Sequence, residues 1–170
     1  MSAPGSILRR STTIYCRAKD RQGQGDVSAG LEISEGVKRN ESADDPVRAE
    51  GRIFLRFFAT DQPKEQQIRT MLEPWEAFQL SRLIGQAVEA KEKLELRLAP
   101  HKFTRNGEEI VTCVMVEKWM RESRGGYAIK AMRKGLSYNI AMSEAHLLWV
   151  SEMLRTLATA QAWQEREPRE

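Results

Sequence analysis

The feature of the sequence that most restricts its fold is an internal repeat. A shift of 70 residues superimposes QIRTMLEPWEAFQLSRLIGQA on SYNIAMSEAHLLWVSEMLRTL, and a shift of 74 superimposes the strands that precede them. The two copies agree in residue character rather than identity, which indicates one structural unit used twice. Matched pairs include Leu72 with Met142, Ile84 with Leu154, Leu55 with Ile129, and Arg56 with Lys130.

Each copy predicts a set of strands followed by one helix. Helical spacing of apolar residues predicts one helix from Pro74 to about Lys91, and a second that starts after Ser143 as its N-cap and runs to about Trp163. Strands closed by one helix per copy give antiparallel sheets covered by helices, an α+β fold. The predicted strands are TTIYCRAK, a stretch within VSAGLEISEGVKR, GRIFLRFFAT, QIRTML, LELRLAPHKF, IVTCVMVEKWMR, GYAIKAMRK and LSYNIAM.

The domain organisation follows from the same pattern. A chain of 170 residues suits one substantial domain, and we expect it to span 12–163 as two repeats, 12–91 and 94–163. The segment at about 20–50 is rich in Gly, Ser, Asn, Asp and Glu, which predicts a mobile polar insertion. We also expect a flexible N-terminal arm over 1–11 and a frayed tail over 164–170.

Composition restricts where the protein acts. The net charge is only +3, so the distribution of charge must decide whether a polyanion binds. No apolar run approaches the roughly 20 residues of a membrane span, and MSAPGSILRRSTT lacks the apolar core of a secretion signal. Cys16 and Cys113 lie far apart and are expected to be free thiols in a reducing compartment. We expect a cytoplasmic, nucleoid or nuclear protein that is not secreted and has no membrane partner.

Alternation along the strands predicts a binding face. In GRIFLRFF, Ile53, Leu55 and Phe57 share one side, which suits a core, while the other side alternates arginine with phenylalanine. Single-stranded nucleic acid needs this combination, because bases stack on flat side chains for about 1–3 kcal/mol each while cations follow the phosphates. The candidate binding residues are Arg52, Phe54, Arg56, Phe58, Arg69, Trp119, Arg121, Lys130, Met132 and Lys134.

Other interpretations of this face stay open. The same phenylalanines suit the core of a sheet covered on both sides, or a dimer contact, and charged strand faces are usually only solvated. A second class of function is a protein-interaction or oligomerisation module that does not bind nucleic acid, with Trp75, Trp149 or Trp163 at the contact between subunits.

Two stretches resemble a known family. EGRIFLRFFATDQPKEQQIRTMLEPWEAFQLSRLI and VMVEKWMRESRGGYAIKAMRKGLSYNIAMSEAHLLWVSEML resemble PUR repeats, which run as four strands and a helix, with a glycine–basic–aromatic step opening the third strand. Here that step is Gly51-Arg52-Ile53-Phe54. The wider fold group includes the Whirly proteins, the mitochondrial guide-RNA-binding proteins and the single-strand-binding transcription coactivator. The resemblance covers roughly residues 51–90 and 110–160.

The resemblance implies a PUR/Whirly-like module that binds single-stranded DNA or RNA across its strands, with intertwined repeats and often as a homodimer. The sequence departs from the typical repeat at Gly126, where a basic residue is usual, and at Ala128, which replaces an aromatic residue. By position, the phosphate candidates are Arg52, Arg56 and Lys130, and the stacking candidates are Phe54, Phe58 and Trp119.

Catalysis, a metal site and a cofactor are not predicted. His101 follows a proline in a predicted loop, and His146 lies near the start of a helix, so we expect each to be a solvated or packing residue rather than a catalytic base or a metal ligand. Neither cysteine has a close Cys or His companion. The glycine pairs do not continue as phosphate-binding loops. We therefore predict a non-catalytic protein.

Overall fold

Ten strands and two α-helices lie within residues 10–19 and 24–167, which are the residues that the computed structural model describes. A short 3-10 helix, Lys64–Gln66, connects β3 to β4. The elements are β1 Ser11–Lys19, β2 Asp26–Arg39, β3 Val47–Ala59, β4 Ile68–Leu72, α1 Pro74–Glu89, β5 Leu94–Arg97, β6 His101–Arg105, β7 Glu108–Arg121, β8 Arg124–Arg133, β9 Leu136–Met142, α2 Glu144–Ala160 and β10 Gln164–Arg166.

The strands form two antiparallel sheets. In the first sheet, β2 lies between β1 and β3, and β4 and β10 share the remaining edge of β3, one after the other. In the second sheet, β5 and β6 share one edge of β7, which is followed by β8 and β9. α1 follows β4, and α2 follows β9. The predicted α+β class with antiparallel sheets is confirmed, whereas descent of the two halves from one repeat stays a prediction.

One hydrophobic core joins both sheets and both helices. The side of GRIFLRFF that was predicted to face the core is fully buried, as are Ile129 and Ala131 of β8. The helices also contact each other directly, since the Ser151 hydroxyl donates to the Ser81 carbonyl oxygen at 3.2 Å. Core members include Leu31, Ile33, Ile53, Leu55, Phe57, Leu80, Ile84, Val114, Val116, Ile129, Ile140, Leu147 and Leu154.

Both helices begin where the sequence places them. Pro74 is the first residue of α1, where its missing N–H costs no hydrogen bond. A capping box joins Glu73 and Glu76, and the Glu76 carboxylate accepts from the Glu73 backbone N–H at 2.8 Å. At α2, the Ser143 side chain accepts from the His146 backbone N–H at 3.2 Å. Neither described helix is both long and apolar enough to span a membrane.

Buried polar groups join distant parts of the chain. The Tyr138 hydroxyl lies 2.6 Å from both Gln62 Oε1 and the Gln66 carbonyl oxygen, which ties β9 to the connection between β3 and β4. Beyond α2, the buried Gln161 amide donates to the Gly36 carbonyl oxygen at 3.2 Å. The Gly51 N–H donates to the Trp163 carbonyl oxygen at 3.1 Å. The end of α2 is therefore fixed against the first sheet.

The structure differs from the sequence prediction in the polar segment 20–50. Of its described residues, Asp26–Arg39 form β2, a central strand with neighbours on both sides, and β3 already begins at Val47. Only every second residue of β2 needs to be apolar, so Leu31 and Ile33 are enough to bury it while the residues between them are polar. The alternation within VSAGLEISEGVKR predicts this strand, whereas the polar composition of the whole segment predicts a mobile insertion.

The two chain ends also differ from their predictions. Gln164–Arg166, expected within a frayed tail, pairs with β3 as β10. Residues 168–170 lie outside the described part. In the predicted arm over 1–11, Ser11 already belongs to β1, and Arg10 forms an ion pair with Glu35 at 2.7 Å. Residues 1–9 lie outside the described part.

Two glycines with opposite surroundings test this packing. A Cβ at Gly51 would lie 2.1 Å from the Gln161 carbonyl oxygen, whereas one at Gly85 in α1 would meet no atom within 4 Å. We expect Gly51→Ala to lower the free energy of unfolding by about 1–3 kcal/mol through overpacking against backbone. Gly85→Ala should raise it by about 0.5–1 kcal/mol through helix propensity. Urea unfolding checks both, and a neutral Gly51→Ala would contradict this packing.

Candidate nucleic-acid interface

The first sheet has one side that turns away from the core, and we call it the outer face of the first sheet. Directly opposite residues of an antiparallel pair project to the same side. The register pairs Arg56 with Glu32 and Arg69, and pairs Gly30 with both Tyr15 and Phe58. The outer face therefore carries Tyr15, Arg17, Glu32, Ser34, Phe54, Arg56, Phe58, Arg69 and Met71.

Two phenylalanine rings pack directly on the backbone of β2. A Cβ at Gly30 would lie 2.4 Å from the Phe58 ring, and a Cβ at Gly36 would lie 1.9 Å from the Phe54 ring. Any other residue at these glycines would displace a ring. The glycines of β2 therefore allow both aromatic side chains to lie down against the sheet.

An arginine and two aromatic rings form a contact cluster on this face. The Arg56 guanidinium lies 4.5 Å from the Phe58 ring centroid and donates to Glu32 Oε2 at 2.8 Å. The edge of Tyr15 meets Phe58 with the ring centroids 5.8 Å apart. These contacts leave Phe58 only 8% exposed, while Tyr15 is 63% exposed. Tyr15 is thus the most accessible aromatic ring of the cluster.

Tyr15 and its neighbour Arg17 were missed by sequence reasoning. TTIYCRAK was recognised as a strand, and its alternation separates Thr13, Tyr15 and Arg17 from Ile14 and Cys16. Only the pairing of β1 with β2 shows that the first three share the side of Phe58. The alternation was available in the sequence, but the register between distant strands was not.

Arg52 does not lie open on the outer face. It is 5% exposed, and its guanidinium donates to the Gly51 carbonyl oxygen at 2.9 Å and to Glu50 Oε1 at 2.7 Å. Glu73 Oε1 lies 3.6 Å away. The expectation of an exposed phosphate contact is not met here, because the carboxylates of β3 and of the α1 N-terminus surround the side chain. Arg52 instead joins these two elements.

A groove of about 400 Å³ runs between β3 and β4 on the outer face. Arg69 and Met71 line one side of it and are exposed, while Phe54 and Arg56 line the other and are half-buried. The groove thus presents two cations, one of them paired with the Glu32 carboxylate in the same lining, beside flat or polarisable apolar groups. Of the predicted site residues, it brings together Phe54, Arg56 and Arg69.

The second sheet has an outer face of its own. The Trp119 indole packs on the backbone of its partner strand, where a Cβ at Gly126 would lie 2.5 Å from the ring. This contact explains why a glycine stands at position 126. Lys130 and Met132 follow on β8 on the same side, and Ala128, which lies between Gly126 and Lys130, is fully buried.

Cations on the second outer face have carboxylate partners. Lys130 Nζ lies 3.5 Å from both Glu95 Oε2 and Glu117 Oε2. Lys134 pairs with Glu108. The Arg97 side chain, with a smaller contribution from Lys130, holds the pKa of Glu95 below its ordinary value despite desolvation. These pairs reduce the positive charge that this face offers to an anion.

The remaining predicted residues lie on the second sheet. Met132 is exposed, and Arg121 is exposed and stands opposite Arg124 at the turn between β7 and β8. The ten predicted residues are therefore divided between two sheets rather than gathered on one surface. Among the described residues, no three His, Cys, Asp or Glu side chains are grouped closely enough to hold a metal ion.

Solved structures with a similar fold include two plant proteins. The plant transcriptional regulator PBF-2 matches with a TM-score of 0.55 and 13% identity, covering 92% of this chain and 84% of that chain. WHY1 from Arabidopsis thaliana matches with a TM-score of 0.55 and 12% identity, covering 94% of this chain and 88% of that chain. The Whirly-like fold is thus confirmed, and the PUR-repeat part of the resemblance stays a prediction. No family model and no curated protein matches the chain.

Proposed function

We propose that the protein binds single-stranded DNA or RNA across the outer face of the first sheet, without catalysis, by base stacking and phosphate contacts. The observation that carries this proposal is the arrangement of Tyr15, Phe54 and Phe58 beside Arg56 and Arg69, on the side of the sheet opposite the shared core. Flat rings and cations in alternation match the alternation of bases and phosphates along a strand.

The preorganisation of the face supports this function. Rings that are already packed on glycine backbone lose little side-chain entropy when a base stacks on them. Arg56 contributes a charge and a planar guanidinium, which stacks on aromatic groups in a way that lysine does not. The charge of Arg69 lies directly across from it. A single strand can expose its bases to such a face, whereas a duplex keeps them stacked inside.

The outer face of the second sheet contributes less in this proposal. Lys130 and Lys134 must exchange carboxylate partners for phosphate, which reduces the net gain. On the first sheet Arg56 has one such partner, Glu32, and Arg69 pairs with no carboxylate among the described residues. Arg52 is assigned to the structural contact of β3 with α1. The primary residues are Tyr15, Phe54, Arg56, Arg69 and Met71, and Phe58, which is only 8% exposed, holds Tyr15 and Arg56 in position through its ring contacts. The secondary residues are Trp119, Arg121, Lys130, Met132 and Lys134.

Further proposals concern the internal repeat, the binding partner and the place of action of the protein. We propose that its two halves are copies of one unit, because β1–β4 are followed by α1 and β5–β9 by α2, and both helices pack in the core that the two sheets share. The fold that it shares with a plant transcriptional regulator supports a nucleic-acid partner and an intracellular place of action. DNA and RNA are equally compatible with the contacts proposed here.

The direct test is binding of a fluorescent single-stranded oligonucleotide, measured by anisotropy at two salt concentrations. The double variant Arg56→Gln/Arg69→Gln removes two charges from the outer face of the first sheet. We expect it to weaken binding at low salt by about tenfold or more. We also expect the slope of log K against log salt to fall by about 1.4, because each single-strand phosphate contact contributes about 0.7.

A matched control variant removes two arginine charges from the helices instead of from the outer face of the first sheet. Arg82→Gln/Arg155→Gln alters two exposed arginines that line a groove between the helices, and it should leave affinity and slope unchanged. Lys130→Gln should cost less than Arg69→Gln, because Lys130 already has two carboxylate partners. Equal losses in the two double variants, or undiminished affinity in the first, would overturn the proposal.

A homodimer is a second candidate property, favoured by exposed aromatic residues. Trp75 is 58% exposed and Phe78 is 45% exposed. A groove of about 830 Å³ lies between the start of α1 and the chain after α2, and Trp75, Phe78 and Trp163 line it. We propose that a second copy covers this groove, because exposed aromatic clusters of this kind are typical of protein interfaces.

Light scattering coupled to size exclusion tests the homodimer. Trp75→Ser should convert a wild-type dimer to a monomer, whereas Trp149→Ser, which lies outside the groove, should not. A wild-type monomer at every soluble concentration would exclude this interface. If the dimer forms but no oligonucleotide binds, the chain is an oligomerisation module of the kind that the sequence left open.

A further inference from the structure

A second basic and aromatic cleft lies where the two sheets meet. β1 of the first sheet passes close to β9 of the second, with Cys16 Sγ 4.0 Å from the Asn139 carbonyl oxygen. Beside this contact is an open cleft of about 720 Å³, lined by residues of both sheets. The charged and aromatic side chains that line the cleft are those of Arg17, Lys91, Lys118, Trp119, Tyr127 and Glu144.

The cleft continues the outer face of the first sheet. Tyr15 and Arg17 project to the same side of β1, about 7 Å apart for two residues of extended chain. Tyr15 meets the Phe58 ring on one side, and Arg17 lines the cleft together with Trp119 on the other. The rings of Phe58 and Tyr15 are therefore followed along β1 by Arg17, which shares the cleft with Trp119.

The charges in the cleft suit an anion. Three cations line it against one carboxylate, Glu144, which lies 3.5 Å from the Tyr127 hydroxyl. Lys118 Nζ lies 5.7 Å from the Tyr127 ring centroid and donates to the Ala90 carbonyl oxygen, so it is held in place at the cleft wall. Arg17 is exposed on β1.

The Trp119 indole in the cleft is also held in one position. Trp119 packs on the backbone at Gly126, and both residues line the cleft. The indole is therefore already oriented before a ligand binds. A cleft lined by a planar ring and by cations has the chemistry that recognises a nucleotide, with a base against the ring and phosphate against the cations.

We propose that this cleft is a second segment of the same single-strand site, in which Arg17 and Lys91 contact phosphates and Trp119 stacks a base. The inference rests on the proposed function and extends it. A strand that is long enough would occupy the outer face and the cleft together, and its second segment would bind at the high effective concentration set by the first. A short strand would occupy only the outer face.

Length-dependent binding tests this inference. The probes are labelled oligothymidylates of about 6 and about 14 nucleotides, lengths that span the range of common single-strand sites. Wild-type protein should bind the longer probe more tightly. Arg17→Gln/Lys91→Gln should weaken binding of the longer probe by about tenfold or more and lower its salt slope by about 1.4. Binding of the shorter probe should stay within about twofold of wild type, since the variant leaves the outer face intact.

Two further variants separate the possible causes. Trp119→Leu removes the flat ring but keeps the cations, and it should produce the same length-selective loss. Arg82→Gln/Arg155→Gln, with two exposed charges on the helices, should affect neither probe. Far-UV circular dichroism and the urea midpoint of each variant show whether it is folded.

The outcomes distinguish the two proposals. Equal wild-type affinity for both probes, or equal losses for both in Arg17→Gln/Lys91→Gln, would overturn the cleft as a second segment while the proposed function stands. Failure of the wild-type protein to bind either probe, or any other single strand, would overturn the proposed function and this inference with it.

Discussion

The alternation of β3 between core and surface is the constraint on which the rest of the structure depends. Ile53, Leu55 and Phe57 are fully buried in a core that both sheets and both helices share. The residues between them must project to the opposite side, because successive side chains of a strand alternate. Burying an apolar side chain stabilises by about 1.5–3 kcal/mol, so a slip of one residue would lose several such contributions at once. The position of Phe54 and Arg56 on the outer face is thus a consequence of core formation.

Glycines convert that exposed side into a surface with fixed geometry. At Gly30, Gly36 and Gly126 an aromatic ring occupies the space of a missing side chain. The rings are held against the backbone of the neighbouring strand rather than extending into water. Both sheets hold an aromatic ring against a glycine in this way, but the cations on their outer faces differ in how many carboxylate partners they have. Arg56 on the first sheet pairs with one carboxylate, Glu32, and lies beside Arg69, whereas Lys130 of the second sheet lies between two carboxylates. That difference is why we assign the main binding role to the first sheet.

Much of the fold could be predicted from local pattern. Helix starts at Pro74 and after Ser143, the side of β3 that is buried and the α+β class all follow from periodicity and capping within short segments. The features that were not predicted depend on contacts between distant residues. Arg52 is buried because of its contacts with Glu50 and with Glu73 at the start of α1. Tyr15 joins the candidate site only through a register that spans β1, β2 and β3. Such pairings leave no signal in one sequence.

The central proposal is that a single strand lies on the outer face of the first sheet. Ultraviolet cross-linking of a thymidine-rich single strand, followed by mass spectrometry of the linked peptides, tests it most directly. We predict cross-links at Tyr15 and Phe54, abolished by excess unlabelled single strand but not by duplex. Cross-links confined to Trp75 and Trp149 on the helices, or equal competition by duplex, would contradict it.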